Sequence, residues 1–232
     1  TCSESDLLLA STLIDMYAKC GQMENAQHIF DTMQSRDVIV WNALIGGYAE
    51  SGDDLHTISL FLLMQEQDIE PDQVTYTILL KGRQSNTSAL DRGKLVHNCI
   101  ISRGLESSTV VGSSLIDMYI KCNSTEDAYR VFELLPRHDV VTWSAMIAGF
   151  IYQGKAQDAI KLSQKMRLER LELNSTTFSS ILKACSSIAA FNEGKLIHAD
   201  VLKSGYESDV YVASALIDMF VSFAMSACNS IY

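Results

Sequence analysis

The chain has 232 residues, 47% of them hydrophobic, and contains only two prolines. This composition suits a helical chain with a continuous apolar core, and no apolar run approaches the roughly 20 residues that a membrane span requires. The net charge of −10 argues against nonspecific, charge-driven binding of RNA or DNA, because such binding relies on basic patches.

The sequence repeats itself at a long period. The stretch STLIDMYAKCGQMENAQHIFDTM, which begins at Ser11, returns at Ser113 as SSLIDMYIKCNSTEDAYRVFELL, and its first part returns at Ser214 as SALIDMF. WNALIGGYAESG at Trp41 similarly returns at Trp143 as WSAMIAGFIYQG. Shorter similar segments divide each long period into three related repeats. Self-similarity at a few tens of residues is typical of solenoids, in which each repeat packs on its neighbours.

Apolar spacing and turn residues predict a series of two-helix repeats. The predicted boundaries are 1–6 for the tail of a preceding repeat, 7–37, 38–72, 73–108, 109–139, 140–174 and 175–209 for six full repeats, and 210–232 for a partial, divergent repeat.

The first repeat sets the pattern for the others. Apolar residues from Leu9 onward recur at spacings of three and four, which predicts an amphipathic helix that Gly21 ends. A second apolar stripe begins at Met23. In the next two repeats, Pro71 marks a boundary because proline disfavours helix in the residue before it. The polar run Gln84–Ser88 leads us to expect that the first helix of 73–108 is the shortest or most mobile.

The second half of the chain restates this order. Asn123 replaces Gly21 at the helix end, and Asn is the next-best residue for a left-handed turn. The match fails after Phe220, so we expect the tail Val221–Tyr232 to be poorly packed.

Two further features concern packing. A small residue recurs in each second helix, and we expect the two helices of one repeat to approach closely there. These residues are Ala26, Thr57, Gly93, Ala128, Ala159 and Gly194. The six cysteines form no CxxC motif, and we interpret them as reduced, small core residues, with Cys20 and Cys122 at equivalent helix ends.

The blocks LIDMYAKCG, WNALIGGYAESG and EGKLIH, in repeats of about 31, 35 and 36 residues, resemble pentatricopeptide repeat proteins of the plant PLS subclass. The repeats 7–37, 109–139 and the partial 210–232 resemble its S type, 38–72 and 140–174 its P type, and 73–108 and 175–209 its L type. The resemblance implies an all-α solenoid of stacked helix-turn-helix repeats in a right-handed superhelix. It also implies binding of single-stranded RNA in mitochondria or chloroplasts, about one base per repeat.

In the family, the fifth and last residues of a repeat contact the base edge, and the second packs against the base face. Carried over, the base-edge pairs are Ser11 with Asp37, Asn42 with Asp72, Thr77 with Ser108, Ser113 with Asp139, Ser144 with Asn174, and Ser179 with Asp209. The base-face residues are Leu8, Ile39, Val74, Val110 and Val141, and Thr176 departs from the aliphatic preference.

The chemistry of these pairs is consistent with base recognition. A hydroxyl leaves room for a purine, an ionised Asp only accepts and so complements the N–H donors of guanine, and an Asn can donate to adenine N1. The resemblance then assigns 5′-G-U-n-G-A-n-3′, with the RNA parallel to the protein.

Simpler interpretations stand beside these. The hydroxyls and closing Asp residues could be helix caps or first-turn polar residues. Trp41 and Trp143 are better explained as core residues than as stacking platforms. His97 and His198 are interpreted as packing residues and not as a metal pair. Lys19, Lys121 and Lys183 could contact phosphates or favour a helix C-terminus.

No catalytic motif is present: the sequence lacks G-x-x-x-x-G-K-[ST], G-x-S-x-G and H-E-x-x-H. It also lacks the H-x-E and P-C-x-x-C motifs of zinc deaminases. We therefore expect a chain without catalytic residues, metal or cofactor, and without a membrane or small-molecule partner. The leading hypothesis is recognition of organellar RNA at sites of C-to-U editing, with editing-complex proteins or a deaminase acting in trans. The alternative is a helical scaffold for protein–protein interaction, which the acidic charge favours and the uneven repeat length disfavours.

Overall fold

The structure is a computed structural model that describes residues 4–81 and 89–229. Within these residues it contains thirteen α-helices and no strand, which confirms the all-helical prediction. The helices are α1 (Glu4–Lys19), α2 (Met23–Thr32), α3 (Val38–Ser51), α4 (Asp54–Glu66), α5 (Gln73–Lys81), α6 (Ala89–Ser102), α7 (Thr109–Lys121), α8 (Thr125–Leu134), α9 (Val140–Tyr152), α10 (Ala156–Leu168), α11 (Ser175–Ser187), α12 (Phe191–Ser204) and α13 (Val210–Asn229).

Six helices begin where a predicted repeat begins. The helices α3, α5, α7, α9, α11 and α13 begin at residues 38, 73, 109, 140, 175 and 210, the first residues of predicted repeats. Left-handed turns separate the helices within repeats, at Gly21 (φ 72°) and at Asn123 (φ 60°), where a left-handed turn was expected. The run Gln84–Ser88 lies outside the described residues, so the expectation attached to it remains a prediction.

Two compact units divide the chain, Thr1–Met118 and Tyr119–Tyr232, here named the N-terminal and C-terminal halves. In the N-terminal half, α3 packs against α1 and α5. Its core includes Trp41, which is fully buried and meets Phe30 edge-to-face at a centroid distance of 4.7 Å. This is a favoured aromatic geometry.

The C-terminal half repeats this core arrangement. Trp143 is buried and meets Phe132 edge-to-face at 4.8 Å, and α11 packs against both α9 and α13. The interpretation of Trp41 and Trp143 as core residues is therefore confirmed.

The small residues of the second helices are buried, but the two glycines approach a different partner from the one expected. A Cβ at Gly194 would lie 2.6 Å from Met219 Sδ and 3.0 Å from the Phe223 ring, both on α13. A Cβ at Gly93 would overlap Met118, on α7. The tight contact therefore joins a second helix to the first helix of the following repeat, and not to its own partner helix.

The tail is better packed than expected. Helix α13 continues to Asn229, and Phe223 is 7% exposed with its ring centroid 5.2 Å from that of Phe191. Ser222 Oγ also donates to Ser186 O at 3.1 Å. The expectation of a poorly packed tail is therefore wrong at Ser222 and Phe223, which contact α11 and α12, whereas Val221 and Met225 are 53% and 63% exposed.

The cysteines divide between core and surface. Cys185 is fully buried, and burial, aided by Glu193, raises the pKa of its thiol to about 12. Cys99 and Cys122 are partly buried, and none of the four described cysteines forms a disulfide. Cys20 is exposed, so the core interpretation is wrong there, because the residue follows the last turn of α1.

The first prediction concerns Trp41. We expect Trp41→Ala to lower the free energy of unfolding by about 3–5 kcal/mol, the usual cost of emptying a buried aromatic site. Urea denaturation followed by circular dichroism measures this change. The control is Leu55→Ala on α4, whose side chain is 82% exposed and whose loss should cost less than about 0.5 kcal/mol. Equal costs for the two variants would contradict the core assignment.

Candidate nucleic-acid interface

The second residue of the repeat is an exposed aliphatic side chain in five repeats. These side chains are between 54% and 66% exposed. They are Leu8, Ile39, Val74, Val110 and Val141. The residue that follows each in repeats 2 to 5 is at most 1% exposed, so the exposure is specific to one position and does not reflect a loose helix start. Each such repeat therefore presents one apolar side chain to solvent at the same place.

The residue that closes a repeat caps the helix of the next one. In five cases its side-chain oxygen accepts from the backbone N–H three residues ahead. The pairs are Asp37 with Val40 (2.9 Å), Asp72 with Thr75 (2.8 Å), Asp139 with Thr142 (2.8 Å), Asn174 with Thr177 (2.9 Å) and Asp209 with Val212 (3.1 Å). The capping interpretation is confirmed, since these oxygens satisfy donors that the helix itself cannot pair. Ser108 differs, because its hydroxyl donates to Gln73 Oε1 at 3.1 Å.

The hydroxyls at the fifth position bond back to their own helix. Each donates to a backbone carbonyl three or four residues earlier: Ser11 to Leu8 (2.9 Å), Thr77 to Gln73 (2.8 Å), Ser113 to Thr109 (2.5 Å), Ser144 to Val140 (2.5 Å) and Ser179 to Thr176 (3.0 Å). The hydroxyl proton is used in this way, but the oxygen keeps lone pairs that can accept a further hydrogen bond. Ser144 has a second acceptor within reach, because its Oγ also lies 2.6 Å from Thr177 Oγ1, and its single proton can go to only one of the two oxygens at a time.

Two of the six predicted pairs are brought together by hydrogen bonds through a buried threonine. Asn42 Nδ2 donates to Asp72 Oδ1 at 3.1 Å, and the Thr75 hydroxyl lies 2.7 Å from Asn42 Oδ1. In the C-terminal half, Ser144 Oγ lies 2.6 Å from Thr177 Oγ1, which donates to Asn174 Oδ1 at 2.7 Å. Sequence reasoning missed both threonines.

The other four pairs behave differently. Gln73 links Thr77 to Ser108, because its backbone carbonyl accepts from the Thr77 hydroxyl and its Oε1 accepts from the Ser108 hydroxyl. No hydrogen bond joins Ser179 to Asp209 among the described residues. The remaining two pairs are Ser11 with Asp37, which shares a concavity, and Ser113 with Asp139, which belongs to different halves.

The concavity at the first pair has a volume of about 280 Å³ and is lined by Leu7, Leu8, Ser11, Asp37 and Ile39. It contains the base-edge pair of the first repeat and the exposed aliphatic residues of two successive repeats. A flat aromatic ligand needs this combination, with apolar surface for its faces and hydrogen-bonding groups for its edge.

Hydrogen bonds keep Asp72 ionised. Its partial burial would raise the pKa of the carboxyl, but the Thr75 backbone N–H, the Asn42 amide and the Thr75 hydroxyl all stabilise the anion. The net effect is a pKa below the ordinary value for aspartate.

The lysines and histidines contribute less to the site. Lys19 Nζ donates to Asp15 Oδ2 at 2.6 Å, and this hydrogen bond raises the pKa of the lysine. His198 lies against the Phe220 ring at a centroid distance of 5.3 Å, as its interpretation as a packing residue predicted. In the described part of the chain, no three His, Cys, Asp or Glu side chains cluster as a metal site would require. No described helix is both long and apolar enough to cross a membrane.

Helical hairpins that each present the same pair of polar positions define a helical-repeat protein. The PPR repeat family matches residues 36–83 and 138–187, and the PPR repeat matches residues 10–38 and 113–140. Together these matches cover more than half of the chain. The chain belongs to the pentatricopeptide repeat family.

Relatives from Arabidopsis thaliana agree with this assignment. The chain is 35% identical to the chloroplastic pentatricopeptide repeat-containing protein At5g55740 over 98% of this chain and 27% of that protein. It is 33% identical to the mitochondrial pentatricopeptide repeat-containing protein At3g09040 over 93% of this chain and 21% of that one. The chain thus spans about a quarter of the length of these relatives.

A solved structure shows the same fold. The crystal structure of the pentatricopeptide repeat protein PPR10 from maize matches with a TM-score of 0.70 at 18% identity, over 95% of this chain and 33% of that one. The predicted helical-repeat solenoid is therefore confirmed.

The second prediction concerns the cap at Asp72. We expect Asp72→Ala to cost about 1 kcal/mol of unfolding free energy at neutral pH, as the loss of an N-cap usually does. Because the pKa is lowered on folding, this contribution is fully present above the unfolded-state value of about 3.9 and is lost as the pH falls through the lower folded-state value. Urea denaturation at pH 7 and near pH 3 should therefore show a smaller difference from the parent in acid. The exposed Glu66→Ala is the control, and a cost at Asp72 that grows in acid would contradict the assignment.

Proposed function

We propose that this chain binds single-stranded RNA in a sequence-specific manner, with one base held at each repeat. The concavity formed by Ser11, Asp37, Leu8 and Ile39 carries the proposal. Its two aliphatic side chains can enclose the faces of a base, and its hydroxyl and carboxylate can bind the base edge. In this arrangement, Leu8 and Ile39 supply affinity for any base, and Ser11 and Asp37 supply the preference.

The chemistry of the other pairs supports a preference at each repeat. Asn174 Oδ1 accepts from the Thr177 backbone N–H, so its Nδ2 is the group left to donate to adenine N1. Asp72 is ionised and accepts, which suits the N3–H of uracil. With the hydroxyl–Asp pairs at guanine, the proposed site is 5′-G-U-n-G-A-n-3′ parallel to the chain.

Related structures support RNA as the partner. One matching crystal structure holds PPR10 in complex with an 18-nt PSAJ RNA element, with a TM-score of 0.68. Another holds the PPR domain of Arabidopsis thaliana protein-only RNase P 1 in complex with tRNA, with a TM-score of 0.57. Both are ligands of those proteins, and the pairs described above are the reason to extend RNA binding to this chain.

The proposal also covers the biological process that RNA binding by this chain serves. The S, P and L order of repeat lengths resembles the PLS subclass, and relatives are named chloroplastic or mitochondrial. We therefore place the chain in organellar RNA processing, as the part that selects sites for C-to-U editing while a deaminase acts in trans. Transcripts that copurify with the protein from plant organelles should then carry edited cytidines near the bound site. Enrichment of unedited transcripts alone would overturn the editing role and leave RNA binding intact.

The third prediction tests the base-edge assignment at Asn174. Asn174→Asp should shift the preference at the fifth nucleotide from A toward G, because a carboxylate accepts from guanine N–H groups and cannot donate to adenine N1. The expected change is about tenfold in the ratio of affinities, which corresponds to about 1.4 kcal/mol. Fluorescence anisotropy with four short RNAs that differ at this nucleotide measures it.

Two features make this test specific. Asp occupies the same capping position at 37, 72, 139 and 209, so the variant keeps a competent N-cap. The control Asn192→Asp makes the same chemical change on the exposed surface of α12 and should leave base preference unchanged. If Asn174→Asp and the parent rank the four RNAs alike, the pair assignment is wrong. If the parent binds no RNA even at low salt, where electrostatic attraction is strongest, the acidic chain is better explained as a scaffold for protein partners.

A further inference from the structure

In the six repeats from residue 38 onward, the third residue of the first helix is buried and is either valine or threonine. Its exposed fraction is at most 1% in the six repeats from 38 onward. The residues are Val40, Thr75, Val111, Thr142, Thr177 and Val212. Valine and threonine have nearly the same shape and differ by one hydroxyl. A buried hydroxyl is costly unless it is hydrogen-bonded, so its presence in only some repeats calls for a reason beyond packing.

Thr75 bonds to both members of the pair that precedes it. Its hydroxyl lies 2.7 Å from Asn42 Oδ1 and 2.9 Å from Asp72 Oδ1, and it accepts from Asp72 N at 3.1 Å. The single hydroxyl proton goes to the nearer oxygen, Asn42 Oδ1. Since Asn42 Nδ2 also donates to Asp72 Oδ1 and the Asp72 backbone N–H donates to the hydroxyl, the three residues form a closed ring of hydrogen bonds. The amide orientation of Asn42 is thereby fixed, and Asp72 Oδ2 is left as the acceptor for a base.

Thr177 makes the equivalent set in the C-terminal half. Its hydroxyl donates to Asn174 Oδ1 at 2.7 Å and lies 2.6 Å from Ser144 Oγ. A backbone N–H can only donate, so the Asn174 atom that faces Thr177 N at 2.9 Å must be the carbonyl oxygen. The Nδ2 group of Asn174 is therefore held as the donor.

The first pair, Ser11 with Asp37, differs from these two because a valine follows it. Val40 occupies the place of Thr75, and Asp37 Oδ1 accepts the backbone N–H of Val40 at 2.9 Å, with no side-chain hydroxyl beside it on Val40. Ser11 bonds to Leu8 O and not to Asp37. No hydrogen bond among the described residues joins the two members of this pair, and both line the concavity where the first repeat meets the second.

We propose that Thr75 and Thr177 are positioning residues that fix the orientation of the base-reading side chains of the preceding repeat. This inference rests on the proposed RNA binding. A side chain that is held in its bound orientation loses less entropy when a base arrives, and an amide that cannot rotate cannot present the wrong group. The pairs that Thr75 and Thr177 join should thus discriminate between bases more sharply than the first pair, which Val40 follows. The specificity of a repeat then depends on a residue that belongs to the next one.

The test separates the hydroxyl from the shape of Thr75. Thr75→Val keeps the shape and removes the hydroxyl, and we expect it to reduce the preference for U over C at the second nucleotide about three- to tenfold, in line with one net hydrogen bond. Thr75→Ser keeps the hydroxyl and should retain the preference of the parent, even if the lost methyl lowers its urea midpoint. Thr57→Val is the matched control, because Thr57 is also buried, at 5% exposed, but its hydroxyl donates to the backbone carbonyl of Asp53, the N-cap of α4. It should bind like the parent.

The reciprocal variant tests whether adding the threonine hydroxyl at the first pair increases its base preference. Val40→Thr places a hydroxyl beside Asp37 and should sharpen the preference for G over A at the first nucleotide by a similar factor. Affinities for RNAs that differ at one nucleotide, measured with the complete chain by anisotropy, decide each case. If Thr75→Val keeps the parental preference, or if Thr75→Ser loses it as the valine variant does, the positioning role is overturned while RNA binding stands. A parent that shows no preference at the second nucleotide overturns the proposed function and this inference together.

Discussion

The structure depends on one interaction at five of the six junctions between repeats, the N-cap that the last residue of one repeat supplies to the next. A helix leaves its first backbone N–H groups without partners within the helix. The side-chain oxygen of an Asp or Asn at the preceding position accepts a hydrogen bond from one of them. Asp37, Asp72, Asp139 and Asn174 all supply it. Because the cap must stay at the helix start, its remaining polar atom is presented at a fixed place. In the proposed function, the residue that meets this structural requirement also binds the base edge.

The same junction explains why the neighbouring positions alternate in character. The second residue of the helix is exposed, and the third is buried against the preceding repeat, as Ile39 and Val40 show. An exposed aliphatic residue beside a fixed polar atom is poor design for solubility alone, yet it recurs in five repeats. Its recurrence is explained if a ligand with an apolar face and a polar edge covers it. A base is such a ligand, and it provides affinity that does not depend on the positive charge that this chain lacks.

Much of the fold could be predicted from the sequence because it repeats. The helical class, the helix starts and the buried tryptophans all follow from apolar spacing that recurs about 100 residues apart, which averages out local ambiguity. The sequence-based predictions were wrong where the burial or contact of a residue depends on which neighbouring helix it packs against. The Gly194 contact lies on the next repeat, Cys20 falls beyond its helix, and Phe223 finds a partner on α12. Thr75 and Thr177 were missed because a threonine at a helix start looks like ordinary capping. The structure shows that the hydroxyls of Thr75 and Thr177 contact the fifth residue of the preceding repeat.

The central claim is that successive repeats read successive bases in a fixed order. Selection of the 232-residue chain against a random single-stranded RNA pool, followed by sequencing, tests it most directly. The account predicts enrichment of G and U at adjacent positions, followed after one unconstrained nucleotide by G and A, in the 5′ to 3′ direction. Enrichment of the reverse order, or a bound pool with no positional preference, would contradict it.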